Sequence, residues 1–165
     1  MAELQWFDGY SGKTVDELIA LEGKYRTDSL VLAFEQAIDQ KAAREGGEKL
    51  SDEEFIILAI EAMEREVNNG GWLQFFVNSG QFGLILVDAL QRIACPKTAE
   101  IALNAVGIVE KSPITGGEIE NGTWEENEKR QDALNDCDTL YFERPENIEE
   151  RLFAFIKANR AKIEP

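Results

Sequence analysis

The chain has 165 residues and a formal net charge of −15, with 32 Asp and Glu against 17 Lys and Arg. This length suits one domain with a real core, and 44% hydrophobic residues exclude a chain disordered by composition. Such a charge repels nucleic acid and anionic membrane and attracts basic surfaces, while the absence of histidine removes His-based triads, His metal sites and imidazole switches.

Residues 1–13 read as an arm, irregular or a short helix, whose Trp6, Phe7 and Tyr10 dock on the body or on a neighbouring subunit. Thr14-Val15-Asp16-Glu17 has the form of a capping box and opens a short helix carrying Leu18, Ile19 and Leu21. Thr27 or Asp28 caps the next helix, which carries Leu30, Val31, Phe34, Ala37 and Ile38 and ends at Gly46-Gly47. Ser51-Asp52-Glu53-Glu54 is a second capping box, followed by Phe55, Leu58, Ala59, Ala62 and Met63 at helical spacing. The same face continues to Glu66, a carboxylate where an apolar residue is due.

Asn68-Asn69-Gly70-Gly71 then ends the helix and reverses the chain, because Asn and Gly tolerate positive φ. Trp72, Phe75 and Phe76 restart an apolar stripe that Ser79-Gly80 stops. A helix over 82–94 places Phe82, Leu86, Ala89, Leu90 and Ile93 on one face, with Ile85 and Val87 widening it, so it is expected to be largely buried. Pro96 suits the first turn of a helix running to about Glu110, with Ala99, Ala102, Leu103 and Val106 inward. Lys111 to Gly122, with Gly116-Gly117 and Asn121-Gly122, reads as a loop. Thr123 opens a further helix that ends near Tyr141-Phe142, both packing inward. Asn147 caps the last one, with Leu152, Phe155, Ile156 and Ile163 inward. The expectation is all-α: one domain over 1–165, a bundle of about seven to nine helices, with no cofactor and no metal site. Cys95 and Cys137 form no CxxC and fit free thiols in a reducing cytoplasm. No apolar run approaches the ~20 residues of a membrane helix, so no membrane partner is expected.

Two constellations carry chemistry. The first is Glu66, Asn68, Asn69, Gly70, Gly71, Gln74 and Asn78. A carboxylate on an inward face is costly unless hydrogen-bonded, and the neighbouring amides supply donors. This is either a polar network that fixes a turn or a pocket with Glu66 as general base or ligand-binding group. Amides neither titrate nor attack, so it offers one acid/base group rather than a pair, and no catalytic residue is assigned. The second is the row Glu125, Glu128, Asp132 and Asp136, at steps of three and four on one helix face. Glu149 and Glu150 are expected to extend it, and Asp16, Glu17, Glu35 and Asp39 to form a second row. Carboxylates on adjacent turns lie ~5–6 Å apart. That is close to the ~7 Å estimated between phosphates on a strand rising ~3.4 Å per nucleotide.

Glu66-Val67-Asn68-Asn69-Gly70-Gly71-Trp72, then Gln74-Phe75-Phe76 and Asn78-Ser79, resembles the signature of a bacterial domain-of-unknown-function family typified by the DMP-type DNA mimic protein. The resemblance covers about residues 50–156, taking in Ala94, Pro96, Asp138 and Tyr141-Phe142. Trp72 stands where Phe is usual, a single Ser79 where two serines are common, and Ala94 where Gly is frequent. The resemblance implies an all-helical fold, a homodimer, and an acidic surface that occupies the DNA-binding site of a transcription regulator or other basic DNA-binding protein, without binding nucleic acid itself. Two alternatives stay open: a small-ligand-binding or enzymatic protein using Glu66 and its amides, and an acidic dimeric scaffold or immunity-like protein.

Overall fold

The computed structural model describes residues 2–10, 12–114 and 124–165, apart from the Trp124 side chain. The Gly116-Gly117 and Asn121-Gly122 pairs and the Thr123 cap expected from the sequence lie outside them. The fold is all-α. Among the described residues the helices are α1 (Val15–Ile19), α2 (Thr27–Glu45), α3 (Asp52–Ser79), α4 (Gly83–Arg92), α5 (Pro96–Lys111), α6 (Trp124–Phe142) and α7 (Ile148–Ala158), with three short 3-10 turns. The count sits at the low edge of expectation because the two central helices form one broken element. The chain forms two compact units, Met1–Glu61 with Asn147–Pro165, and Ala62–Glu146.

In the first unit α2 packs on α1 and α7. Both sequence-readable boxes form: Thr14 Oγ1 accepts from Glu17 N–H while the Glu17 carboxylate accepts from Thr14 N–H, and Ser51 and Glu54 do the same. Asn147 caps α7 through Glu150 N–H. The start of α2 differs from expectation. Arg26 occupies the cap position with no side-chain cap. Asp28 pairs instead with the Arg26 guanidinium, and Thr27 Oγ1 donates to Glu150 at 2.7 Å. The arm docks through Phe7, whose N–H donates to Ser29 Oγ and whose ring meets Tyr25 edge-on at 5.2 Å. Trp6 stays half exposed beneath the Arg26 guanidinium.

The start of α3 is enclosed by charge as well as apolar contact. Glu54 is fully buried, and its carboxylate accepts from Lys41 Nζ at 3.0 and 3.1 Å, from Ser51 N–H and from Glu164 N–H. Lys162 Nζ donates to the buried Glu53, and Ser51 Oγ donates to the Lys162 carbonyl. The C-terminal residues are thereby tied to the first turn of α3. A buried carboxylate without such donors would be strongly destabilising.

In the second unit α5 packs on α4 and α6. Pro96 takes the first position of α5. No cap comes from Cys95; the Glu146 carboxylate accepts from Lys97 N–H, Thr98 N–H and Thr98 Oγ1 at 2.8–3.0 Å. The inward face of α5 is Thr98, Ala99, Ile101, Ala102 and Ala105, whereas Leu103, expected inside, is exposed. Likewise Ile85 is exposed, so α4 is two-faced rather than largely buried, and at the end of α6 Tyr141 is buried but Phe142 is half exposed. A stretch within Asp52–Arg92 is long and apolar enough to cross a membrane by length and composition, contrary to expectation. It is interrupted at Gly70-Gly71 and by the 3-10 turn Gly80–Phe82.

The end of α4 is a Schellman motif. Cys95 N–H donates to the Leu90 carbonyl at 2.8 Å and Ala94 N–H to the Gln91 carbonyl at 3.0 Å, with Leu90 and Cys95 both buried. The geometry puts Ala94 at φ 63°, the left-handed region that glycine occupies without a Cβ clash. Ala94→Gly should therefore stabilise the fold by about 0.5–1 kcal/mol, the relief of strain being partly offset by a freer unfolded chain. In urea titration the midpoint should rise with an unchanged slope; a fall would remove the strain argument.

Candidate functional site

The motif residues meet at a break inside α3. Gly70 (φ −153°, ψ 20°) and Gly71 (φ 76°, ψ −176°) leave helical geometry, and the helix resumes at Trp72 without an intervening loop. The break frees the N–H groups of the second segment. Trp72 N–H donates to Asp138 Oδ1 at 2.7 Å, so a carboxylate from α6 caps a helix start 66 residues away. Gly71 is required twice: its φ is left-handed, and a Cβ there would stand 2.4 Å from Asp138 Oδ2. Burial pushes the Asp138 carboxyl up, and the Trp72 N–H offsets this in part.

Glu66 is buried, and its Oε2 accepts from Gln74 Nε2 at 2.8 Å and Asn78 Nδ2 at 3.0 Å, with Arg65 Nε 3.5 Å from Oε1. The Asn78 and Gln74 hydrogen bonds, outweighing desolvation and aided by Arg65, hold its carboxyl below the usual range. This network staples the two segments of α3 across the break. Asn68 turns elsewhere. Its Nδ2 donates to the Glu64 carbonyl at 2.6 Å and contacts Tyr141 Oη at 3.3 Å, and its Oδ1 accepts from Arg144. Tyr141 Oη in turn donates to the buried Glu64 carboxylate. Asn68, Asn69 and Gly70 are exposed, which corrects the expectation that the whole stretch lies in the core.

Beneath the break lies an aromatic cluster. Trp72, fully buried, meets Phe75 edge-on at 5.6 Å, Phe76 at 6.1 Å and Tyr141 at 6.1 Å. Its indole Nε1 is buried without a hydrogen-bond partner among the described residues. Cys137, also buried, has its thiol pushed up by desolvation and by the flanking Asp138 and Asp136 carboxylates. Asp138, Glu64 and Tyr141 are the partners that reading the motif alone misses. Their signal was an Asp followed by an aromatic pair late in the chain, with nothing local to say what it capped.

Chemically this is a closed arrangement. The Gln74 and Asn78 donors converge on Glu66, and the Asp138 carboxylate is held by the Trp72 backbone. Among the described residues no cluster of three His, Cys, Asp or Glu side chains is arranged to hold a metal ion.

The α6 row is of the other kind. Glu125, Glu128, Asp132 and Asp136 are all exposed, and none has a hydrogen-bond or ion-pair partner among the described residues. At about 100° per residue they fall within one sector, opposite the buried Arg130, Leu134, Cys137 and Tyr141. Lys129 flanks the row. Glu149 and Glu150 open α7 in the first unit, where Glu150 already accepts from Thr27 Oγ1. The second row expected from the sequence loses Glu35, which is buried, and the Glu17 carboxylate is occupied by its capping box.

A sequence profile of the family described as DMP19-like protein matches residues 48–159. No curated protein and no solved structure matches the chain.

The geometry fixes the sign of a pH effect. A carboxyl whose folded value is lowered contributes stability above its unfolded value and loses it as pH falls through the folded value. Glu66→Gln should cost about 1–3 kcal/mol at pH 7, since two part-buried amide hydrogen bonds lose a charged acceptor. In chemical denaturation the gap from the unmodified protein should narrow steadily below about pH 4.5. A gap independent of pH would mean that the Glu66 charge is not what holds the break.

Proposed function

The chain belongs to the DMP19-like protein family, and on that premise we propose that it is an acidic, protein-binding DNA mimic, which occupies the DNA-binding site of a transcription regulator or another basic DNA-binding protein. The observation that carries this reading is the α6 row. Four carboxylates, free of internal partners among the described residues, stand on one face of a regular helix over about 16 Å, at 1.5 Å per residue. Held on a packed helix, they present a fixed charge array to lysines and arginines built for phosphates. Long-range attraction speeds the encounter, and packing sets specificity. Enzymatic use of Glu66 has no comparable support, because its neighbours are spent on holding it.

The protein is proposed to act in the cytoplasm as a homodimer. The dimer face that best fits a chain of this charge is the charge-poor stretch around the Gly80–Phe82 turn. There Val77 and Leu84 are 59% and 87% exposed, and Asp88 is the sole carboxylate between Val67 and Ala99. Large exposed apolar side chains mark association surfaces, and two acidic copies meet most easily where neither carries charge.

Two measurements test these readings. Protein immobilised in lysate should retain a basic DNA-binding protein that duplex DNA and rising salt release. Combined Glu128→Gln and Asp132→Asn should weaken that binding about tenfold or more, the loss of two charge contacts, without lowering the melting temperature. A retained partner indifferent to DNA, or an unchanged affinity, ends the mimicry reading. In sedimentation analysis the unmodified protein should be a dimer and Leu84→Asp a folded monomer; a monomeric unmodified protein removes the proposed interface.

A further inference from the structure

The α6 carboxylate row runs into a cleft. One turn past Asp136, the same helix presents Leu140, an apolar side chain 45% exposed beside an otherwise polar face. Leu140 forms one wall of a cavity of about 270 Å³ between α5 and the end of α6. The opposite wall is a single face of α5, with Lys97, Glu100, Ile101 and Asn104 at helical spacing, and Glu143 and Pro145 complete the rim. The apolar part of the lining comes mainly from Ile101 and Leu140. The rim carries carboxylates from both sides, Glu100 from α5 and Glu143 from beyond α6, against one ammonium, Lys97. A site of this build suits a side chain with an apolar stem and a positive head.

We propose that this cleft receives an arginine side chain of the partner, its methylene stem lying on Ile101 and Leu140 and its guanidinium shared between Glu100 and Glu143. The proposal rests on the mimicry reading and adds the chemistry of the contact. Arginine fits where lysine does not. Its planar head offers five donors in a fixed fork, so it engages two carboxylates and the Asn104 carbonyl oxygen together, and it sheds water more readily than an ammonium. Its stem covers apolar surface while the head stays at the polar rim. The row and the cleft then divide the work as DNA does. Phosphate-type contacts position the partner, and one recessed contact selects it, as an arginine is selected by a guanine edge.

The probes are fluorescein-labelled octa-arginine and octa-lysine peptides, read by fluorescence anisotropy at fixed salt. The unmodified protein should bind octa-arginine about fivefold or more tighter than octa-lysine, roughly 1 kcal/mol. Leu140→Ala, an exposed change that leaves the fold intact, should bring octa-arginine down to the octa-lysine level and leave octa-lysine within about twofold. Glu128→Gln with Asp132→Asn should weaken both peptides together. Equal binding of the two peptides by the unmodified protein, or equal losses in Leu140→Ala, overturns the cleft while leaving the carboxylate row in place. Failure to bind either peptide overturns both.

Discussion

The hydrogen bond from Trp72 N–H to Asp138 is the contact on which the second unit depends. A helix interrupted at Gly70-Gly71 leaves backbone donors facing a buried aromatic cluster, where water cannot satisfy them. Asp138 meets that need from α6, and its carboxylate fits only because Gly71 has no side chain. Once it is in place, Tyr141, one turn further along α6, falls against Trp72 and reaches Glu64. The Glu66 network then joins the two helical segments. Glu146 repeats the device at the start of α5. In both places a carboxylate distant in sequence completes a helix end that its own flanking residues leave open.

This use of acid changes how the net charge is read. Glu35, Glu53, Glu54, Glu61, Glu64 and Glu66 are buried, so a good part of the −15 is committed to internal structure. Glu54 alone takes an ammonium and two backbone N–H groups. The row Glu125, Glu128, Asp132 and Asp136 is therefore more informative than the total, because among the described residues its carboxylates have no such employment. The same distinction separates the two constellations: the motif is an internal fastening, and the row is an outward surface with a cleft at its end.

Much of this was legible in the sequence where the physics is local. The Thr14 and Ser51 boxes, the Asn147 cap, Pro96 at a first turn and the stop at Gly46 need only a few neighbouring residues, and all are present. Glu66 with Gln74 and Asn78 was readable because the Asn68-Asn69-Gly70-Gly71 turn reverses the chain and brings nearby amides to a carboxylate that needs donors. The misreadings of helix faces share one cause. Ile85, Leu103 and Phe142 were expected inside because they are apolar, and Glu35 outside because it is charged, yet which face of a helix is covered depends on elements far along the chain. Asp138 was visible as a residue, but its partner 66 positions away was not.

The setting of Cys137 bears on how α6 responds to its surroundings. Its thiol lies on the buried face of α6, where desolvation and the neighbouring Asp138 and Asp136 carboxylates push it up. With no imidazole anywhere in the chain, the usual near-neutral charge switch is absent. Oxidants likewise meet a poor nucleophile, since the thiolate is the reactive species. Mild oxidation is therefore expected to leave the buried face of α6 unaltered. On the proposed mimicry, release of a partner would then fall to mobile ions or to competing nucleic acid.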